Sequence, residues 1–150
     1  MSLALALHVL AAVVWVGGMF FAYVCLRPVL VECEPAERLQ IWARTFGKFF
    51  PWVTMAIAIL FLTGFYMLFA MGGFGHVGNH IIVMLVIAVL MSGIFKFVYV
   101  APFRHLKQNV DSGNQKVAAH ALGTIRKLVA TNLALGLIVI IVATAGKVLF

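Results

Sequence analysis

Leu3-Ala4-Leu5-Ala6-Leu7-His8-Val9-Leu10-Ala11-Ala12-Val13-Val14-Trp15-Val16-Gly17-Gly18-Met19-Phe20-Phe21-Ala22-Tyr23-Val24-Cys25-Leu26 decides the fold of this chain. The run carries no charged residue and is closed by Arg27-Pro28. About 20 residues at a rise of about 1.5 Å each cross roughly 30 Å of hydrocarbon, so this stretch can span a bilayer as a helix. A helix is required, because a lone strand cannot satisfy its backbone in lipid. No basic residue precedes the run and no small-residue cleavage site follows it, so it is expected to stay as a helix rather than act as a signal peptide.

The rest of the sequence agrees. Hydrophobic residues make up 65% of the 150 positions and charged residues 10%, with a mean hydropathy of +1.13. A water-soluble domain of this size would expose far more apolar surface than monomers tolerate. Three more apolar runs follow, giving spans at about 3–26, 49–71, 81–101 and 128–148. Short connections favour antiparallel neighbours. The expected fold is therefore all-α, a single integral membrane four-helix up-down bundle. Two helices are expected to run past the membrane: one starts at Pro35, with Leu39, Trp42, Phe46 and Phe49 on one stripe and a kink at Pro51, and one carries Leu122, Ile125 and Val129 into the fourth span.

Charge gives the orientation. The net charge is +7, from 11 Lys and Arg against 4 Asp and Glu. Arg27, Arg38, Arg44 and Lys48 lie between the first two spans, and Arg104, Lys107, Lys116, Arg126 and Lys127 between the last two. The middle connection, Gly72-Gly73-Phe74-Gly75-His76-Val77-Gly78-Asn79, has no Lys or Arg. The positive-inside rule puts both basic connections in the cytoplasm of a multi-pass inner (plasma) membrane protein. Both termini then lie outside, in the periplasm of a two-membrane host. Anionic lipid, not nucleic acid, accounts for the positive excess. Cys25 and Cys33 fit no zinc spacing and fall near the reducing face, so they read as ordinary thiols.

Imidazoles within or beside membrane spans are functional candidates. His8, Ala12, Trp15, Met19 and Ala22 share one helical face; Gly64, Met67 and Met71 share another; His80, Met84, Ile87 and Met91 a third; and Asn132, Gly136, Val139, Ala143 and Gly146 form a small-residue face. Topology gathers His8, His76, His80, Met67 and Met71 at the outer end, where no acidic residue joins them. A hard-cation site built on carboxylates is thereby excluded. Imidazole and thioether suit copper, and two imidazoles on facing helices suit haem iron. Lys96 is the lysine inside a span away from its end; it either snorkels to the headgroups or pairs with a buried anion such as a haem propionate.

The stretch from His8 to Phe21, the third span from His80 to Arg104, and Ile125 to Gly136 together resemble the copper resistance protein D family in its short, stand-alone form. The resemblance implies copper passage or tolerance at the inner membrane, with His8 and His80 as the ligands that carry over. More distantly the pattern is similar to the membrane protoporphyrinogen oxidase family, although this chain reads His80-Ile81-Ile82 where that family carries His-Ala-Lys.

Three readings follow. In the first, a copper ion is held by His8 and His80 near the outer face, with Met67, Met71 and His76 as auxiliary or entry ligands. In the second, haem b is bound between His8 and His80 for electron transfer or haem handling, with Trp15 as an apolar wall and Lys96 or Lys147 facing the propionates. The third is a cofactor-free scaffold or partner subunit. Four helices are too thin to enclose a pore, so transport needs a homo-oligomer or a periplasmic copper or redox partner. No nucleophile with its base, phosphate loop or paired carboxylate is visible, so hydrolytic and phosphoryl-transfer chemistry is not expected, while redox activity through a bound haem stays open.

The orientation is directly testable. Alkaline phosphatase folds only where its disulfides form, outside the cytoplasm. Inserted within residues 72–79 it is expected to be active, and within residues 111–114 inactive. The opposite pattern reverses the topology.

Overall fold

The computed structural model describes residues 1–149, the side chains of Lys147 and Leu149 excepted. Five helices account for the fold: α1 (Ser2–Leu30), α2 (Pro35–Ala70), α3 (Asn79–Val100), α4 (Pro102–Asp111) and α5 (Gln115–Leu149). Four segments are long and apolar enough to cross a membrane, and the third of them comprises α3 and α4 together. The helices pack antiparallel within each hairpin. His8 of α1 meets Thr63 and Gly64 of α2 while Gly18 meets Phe49; His80 of α3 meets Gly146 of α5 while Met91 meets Asn132. The later part of α1 also packs on α5, and α4 lies across α2 and α5.

The helix boundaries follow from proline and glycine. Pro35 opens α2 behind an extended Glu34, and Glu37 sits favourably in its first turn. The helix continues through the lipid-facing Pro51 without a break where the sequence suggested a kink. At its far end Gly73 N–H donates to the Leu68 carbonyl (3.0 Å) and Gly72 N–H to the Phe69 carbonyl (3.1 Å), a Schellman termination with Gly72 at φ 101°. Pro102 ends α3, since the residue before a proline is driven out of the helical region; Ala101 sits at φ −110° and ψ −80°. The chain then turns helical again as α4, an amphipathic segment not foreseen as a separate element, which buries Phe103 and Leu106.

Arg27-Pro28 does not end the helix, and α1 runs on to Leu30. The reason is local. Just before the proline the ladder widens to a π turn over Phe21–Leu26, where Arg27 N–H bonds the Ala22 carbonyl. Pro28 has no N–H to offer, and the wider turn takes up the change of register. A second π turn, Val13–Gly17, carries the buried Trp15 and Val16.

The core is concentrated toward the basic end. Phe50 of α2, 2% exposed, is its hub. Its ring stands edge-on to Phe95 of α3 (5.4 Å between centroids) and to Phe103 of α4 (5.0 Å), and Trp15 of α1 packs edge-on to Phe95 (6.4 Å). Leu106, Ala118 and Ile125, fully buried, extend the same core. Toward the Gly72–Gly78 end the side chains of α1 and α3 are only half-buried or exposed. Asn132 of α5 donates from Nδ2 to the Met91 carbonyl of α3 at 3.0 Å, a buried polar tie between the helices of that hairpin.

Close packing at glycine is the main adhesive. A Cβ at Gly136 would sit 2.8 Å from Val16 Cγ2, and one at Gly146 would sit 2.6 Å from His80 Cβ, whereas Gly93 has nothing within 4 Å. Gly136→Val and Gly146→Ala are each expected to cost about 1–3 kcal/mol by overpacking. Gly93→Ala is expected to be neutral or slightly stabilising, by up to about 1 kcal/mol. Thermal unfolding midpoints in one detergent compare all three; equal midpoints refute glycine-mediated packing.

Candidate metal site

Gly136 fixes the depth scale, since both Val16 and Met91 crowd it. Along near-parallel axes, His8 lies eight residues back from Val16, about 12 Å, and His80 eleven back from Met91, about 16 Å. Both imidazoles therefore stand toward the Gly72–Gly78 end, on different neighbours.

His8 faces α2. Its Nδ1 is 2.8 Å from Thr63 Oγ1, and its Cε1 lies 3.2 Å from where a Cβ on Gly64 would be. The ring can lie against α2 because Gly64 has no side chain there. The Thr63 hydroxyl donates its own proton to the Ile59 carbonyl at 2.6 Å. In the tautomer that matches this bond, Thr63 Oγ1 accepts from His8 and Nδ1 carries the hydrogen. In that tautomer Nε2 holds the lone pair. A second group fixing the ring tautomer in this way is the usual arrangement behind a metal-ligating histidine.

His76 repeats the pattern outside the span. Its Nδ1 is 3.0 Å from the Gly72 carbonyl, which can only accept, so Nε2 is again the nitrogen with a lone pair. The left-handed Gly72 makes room for this: a Cβ there would lie 3.1 Å from His76 Cβ and Cγ. The ring folds back over the C-terminal turn of α2.

Met67 lies three residues beyond Gly64 and four beyond Thr63, on the α2 face that His8 contacts, and is half-buried. Met71 is one turn further, 40% exposed at the end of α2. Met67 and Met71 thus step from the α1–α2 contact at Gly64 toward the loop that carries His76.

His80 is placed apart from this contact. Its ring packs against Gly78 and against Gly146 of α5 and makes no hydrogen bond with a described residue. Trp15 sits in the core against Phe95. Lys96 is exposed on α3, sixteen residues and about 24 Å of helix from His80, too far for the two side chains to meet at one ion. The Lys147 side chain lies outside the described residues. Among the described residues no group of three or more His, Cys, Asp or Glu could hold a metal ion. The donors that His8, His76, His80, Met67 and Met71 offer are imidazole and thioether, a soft set that suits copper, above all Cu(I).

Thr63 and the Gly72 carbonyl escaped the sequence reading. A helical threonine ordinarily bonds back into its own helix, and Thr63 does so as well, which gives no sign of a second role. The glycine beside it was the available signal.

The sequence model of the family described as CopD, copper resistance protein D, matches residues 43–145. No curated protein and no solved structure is significantly similar to the chain. The matched region takes in Met67, Met71, His76, His80, Lys96 and the Asn132 face, and begins beyond His8. With more than half of the chain matched and four helices able to span a bilayer, the protein belongs to the copper resistance protein D family of multi-pass inner-membrane proteins.

Proposed function

We propose that the protein binds copper, as cargo, on the α1–α2 seam at the Gly72–Gly78 end. The observation that carries this reading is the hydrogen-bond chain from His8 Nδ1 through Thr63 Oγ1 to the Ile59 carbonyl, which leaves His8 Nε2 as a ready donor. Family membership supports copper as the ion. Met67 is the nearest thioether on the seam, with Met71 and His76 as entry ligands from the loop. His80 serves a neighbouring position on α3, at the α5 contact. With the expected orientation the seam opens to the outer side of the membrane. Four helices enclose no channel, so onward passage requires a second copy or a partner protein.

Thr63 acts by holding the ring and its tautomer. Losing such an outer-shell partner costs about 10- to 100-fold in metal affinity. Purified protein in detergent, competed for Cu(I) against a chromophoric chelator, tests this. His8→Ala is expected to abolish the tightest site. Thr63→Val is expected to weaken it by about that factor, and Thr63→Ser to restore it. Affinity should also fall on acidification, because a protonated ring cannot ligate. Unchanged affinity in His8→Ala overturns the site. A Soret band in the purified protein that disappears in both His8→Ala and His80→Ala establishes haem ligation in its place.

A further inference from the structure

At the opposite, basic end a cavity of about 300 Å³ opens between α1, α2 and α5. Three arginines line it, one from each helix: Arg27 of α1, Arg38 of α2 and Arg126 of α5. None of the chain's four acidic residues is in the lining. Tyr23, Leu39 and Trp42 supply apolar and aromatic wall, with Leu39 and Trp42 buried. The guanidinium of Arg27 is held over the Tyr23 ring, 5.0 Å from its centroid. Arg38 is steadied by a 3.4 Å bond from Nη1 to the Val31 carbonyl. Two of the three cations are thus half-buried and positioned by neutral groups, neither by a carboxylate.

Like charges gathered around one hollow repel one another, and the repulsion grows as water is excluded. Such an arrangement gains stability from an anion that all three can share. Guanidinium forks match the oxygens of a phosphate in pairs. The volume is at the lower end of what small-ligand sites occupy, and its mixed wall suits a group with an apolar side. We propose that this cavity is a specific site for a phosphate ester, the chemistry common to an anionic phospholipid headgroup and a soluble organic phosphate. It is separate from the copper seam and lies at the other end of the bundle.

Native mass spectrometry of the intact protein, with phosphatidylglycerol, phosphatidylcholine and glycerol 3-phosphate added in separate runs, provides the test. The wild type is expected to retain one equivalent of phosphatidylglycerol or of glycerol 3-phosphate in preference to phosphatidylcholine. Retention of the lipid alone identifies a headgroup site, and displacement of the lipid by glycerol 3-phosphate identifies a soluble ester as sufficient; either supports the cavity. Arg38→Gln and Arg126→Gln should each weaken retention about 10-fold or more, the worth of one charge-assisted hydrogen bond. Lys48→Gln and Lys107→Gln remove equal charge at the same end outside the cavity, and should change little. Arg126→Lys guards against misfolding as the cause, since it keeps the charge and should lose only the forked contact, giving an intermediate affinity. Equal losses in the arginine and lysine variants, or no preference over phosphatidylcholine, overturn the proposal in favour of a diffuse surface potential.

Discussion

Helices dissolved in hydrocarbon gain nothing from hiding apolar surface from one another, so their backbones must come close enough for dispersion and hydrogen bonds to act. In this protein glycine supplies that closeness at several crossings. Gly18 admits the Phe49 ring, Gly136 admits Val16 and Met91, Gly146 admits His80, and Gly64 admits His8. The functional geometry depends on the last of these. A Cβ at residue 64 would lie 3.2 Å from His8 Cε1, so a side chain there would push the imidazole off its seat on α2 beside Thr63. The packing constraint and the donor chemistry therefore meet at one backbone position.

The bundle is built unevenly along its length. Aromatic rings from four helices interlock around Phe50 near the basic end, while the imidazoles stand where the helices are only half-covered. Rigid interlocking at one end lets the other remain accessible without loss of the fold. Local openings draw on the least buried parts of a structure, and exchange of an ion requires such openings. The tight end holds the hairpins in register, and the loose end carries the less buried side chains.

Much of this could be read from residue order. The four spans, the helical start at Pro35, the hairpin pairing and the gathering of His8, His76 and His80 toward one end follow from apolar length and charge placement, and the structure agrees on the helices and their antiparallel pairing. What escaped depends on rotation and register. Hydropathy does not distinguish an α turn from a π turn, so the passage of α1 through Pro28 was invisible. Proline marked the end of α3 correctly, but the amphipathic α4 behind it lay in a segment read only as a basic connection. Facing relationships between helices were equally hidden. Spacing puts His8 and His80 at comparable depths, yet their neighbours depend on which hairpin each helix joins, and the structure seats them on α2 and α5 respectively. The role of Thr63 required knowing that its proton was already spent on Ile59.

Distribution of charge sharpens the division between the two ends. A soft-donor seam without carboxylates cannot neutralise a hard cation, and an arginine-lined hollow without carboxylates repels every cation. Their separation along the bundle keeps the imidazoles away from the guanidinium field, which is screened over about 10 Å in ordinary salt but less so through lipid. Acidic residues, confined to the loops and the helix starts and ends near them, leave both hollows chemically single-minded. The sparse use of Asp and Glu thus has a physical consequence beyond membrane topology: imidazole and thioether are the metal-binding donors left at one end, and the arginines face no competing internal anion at the other.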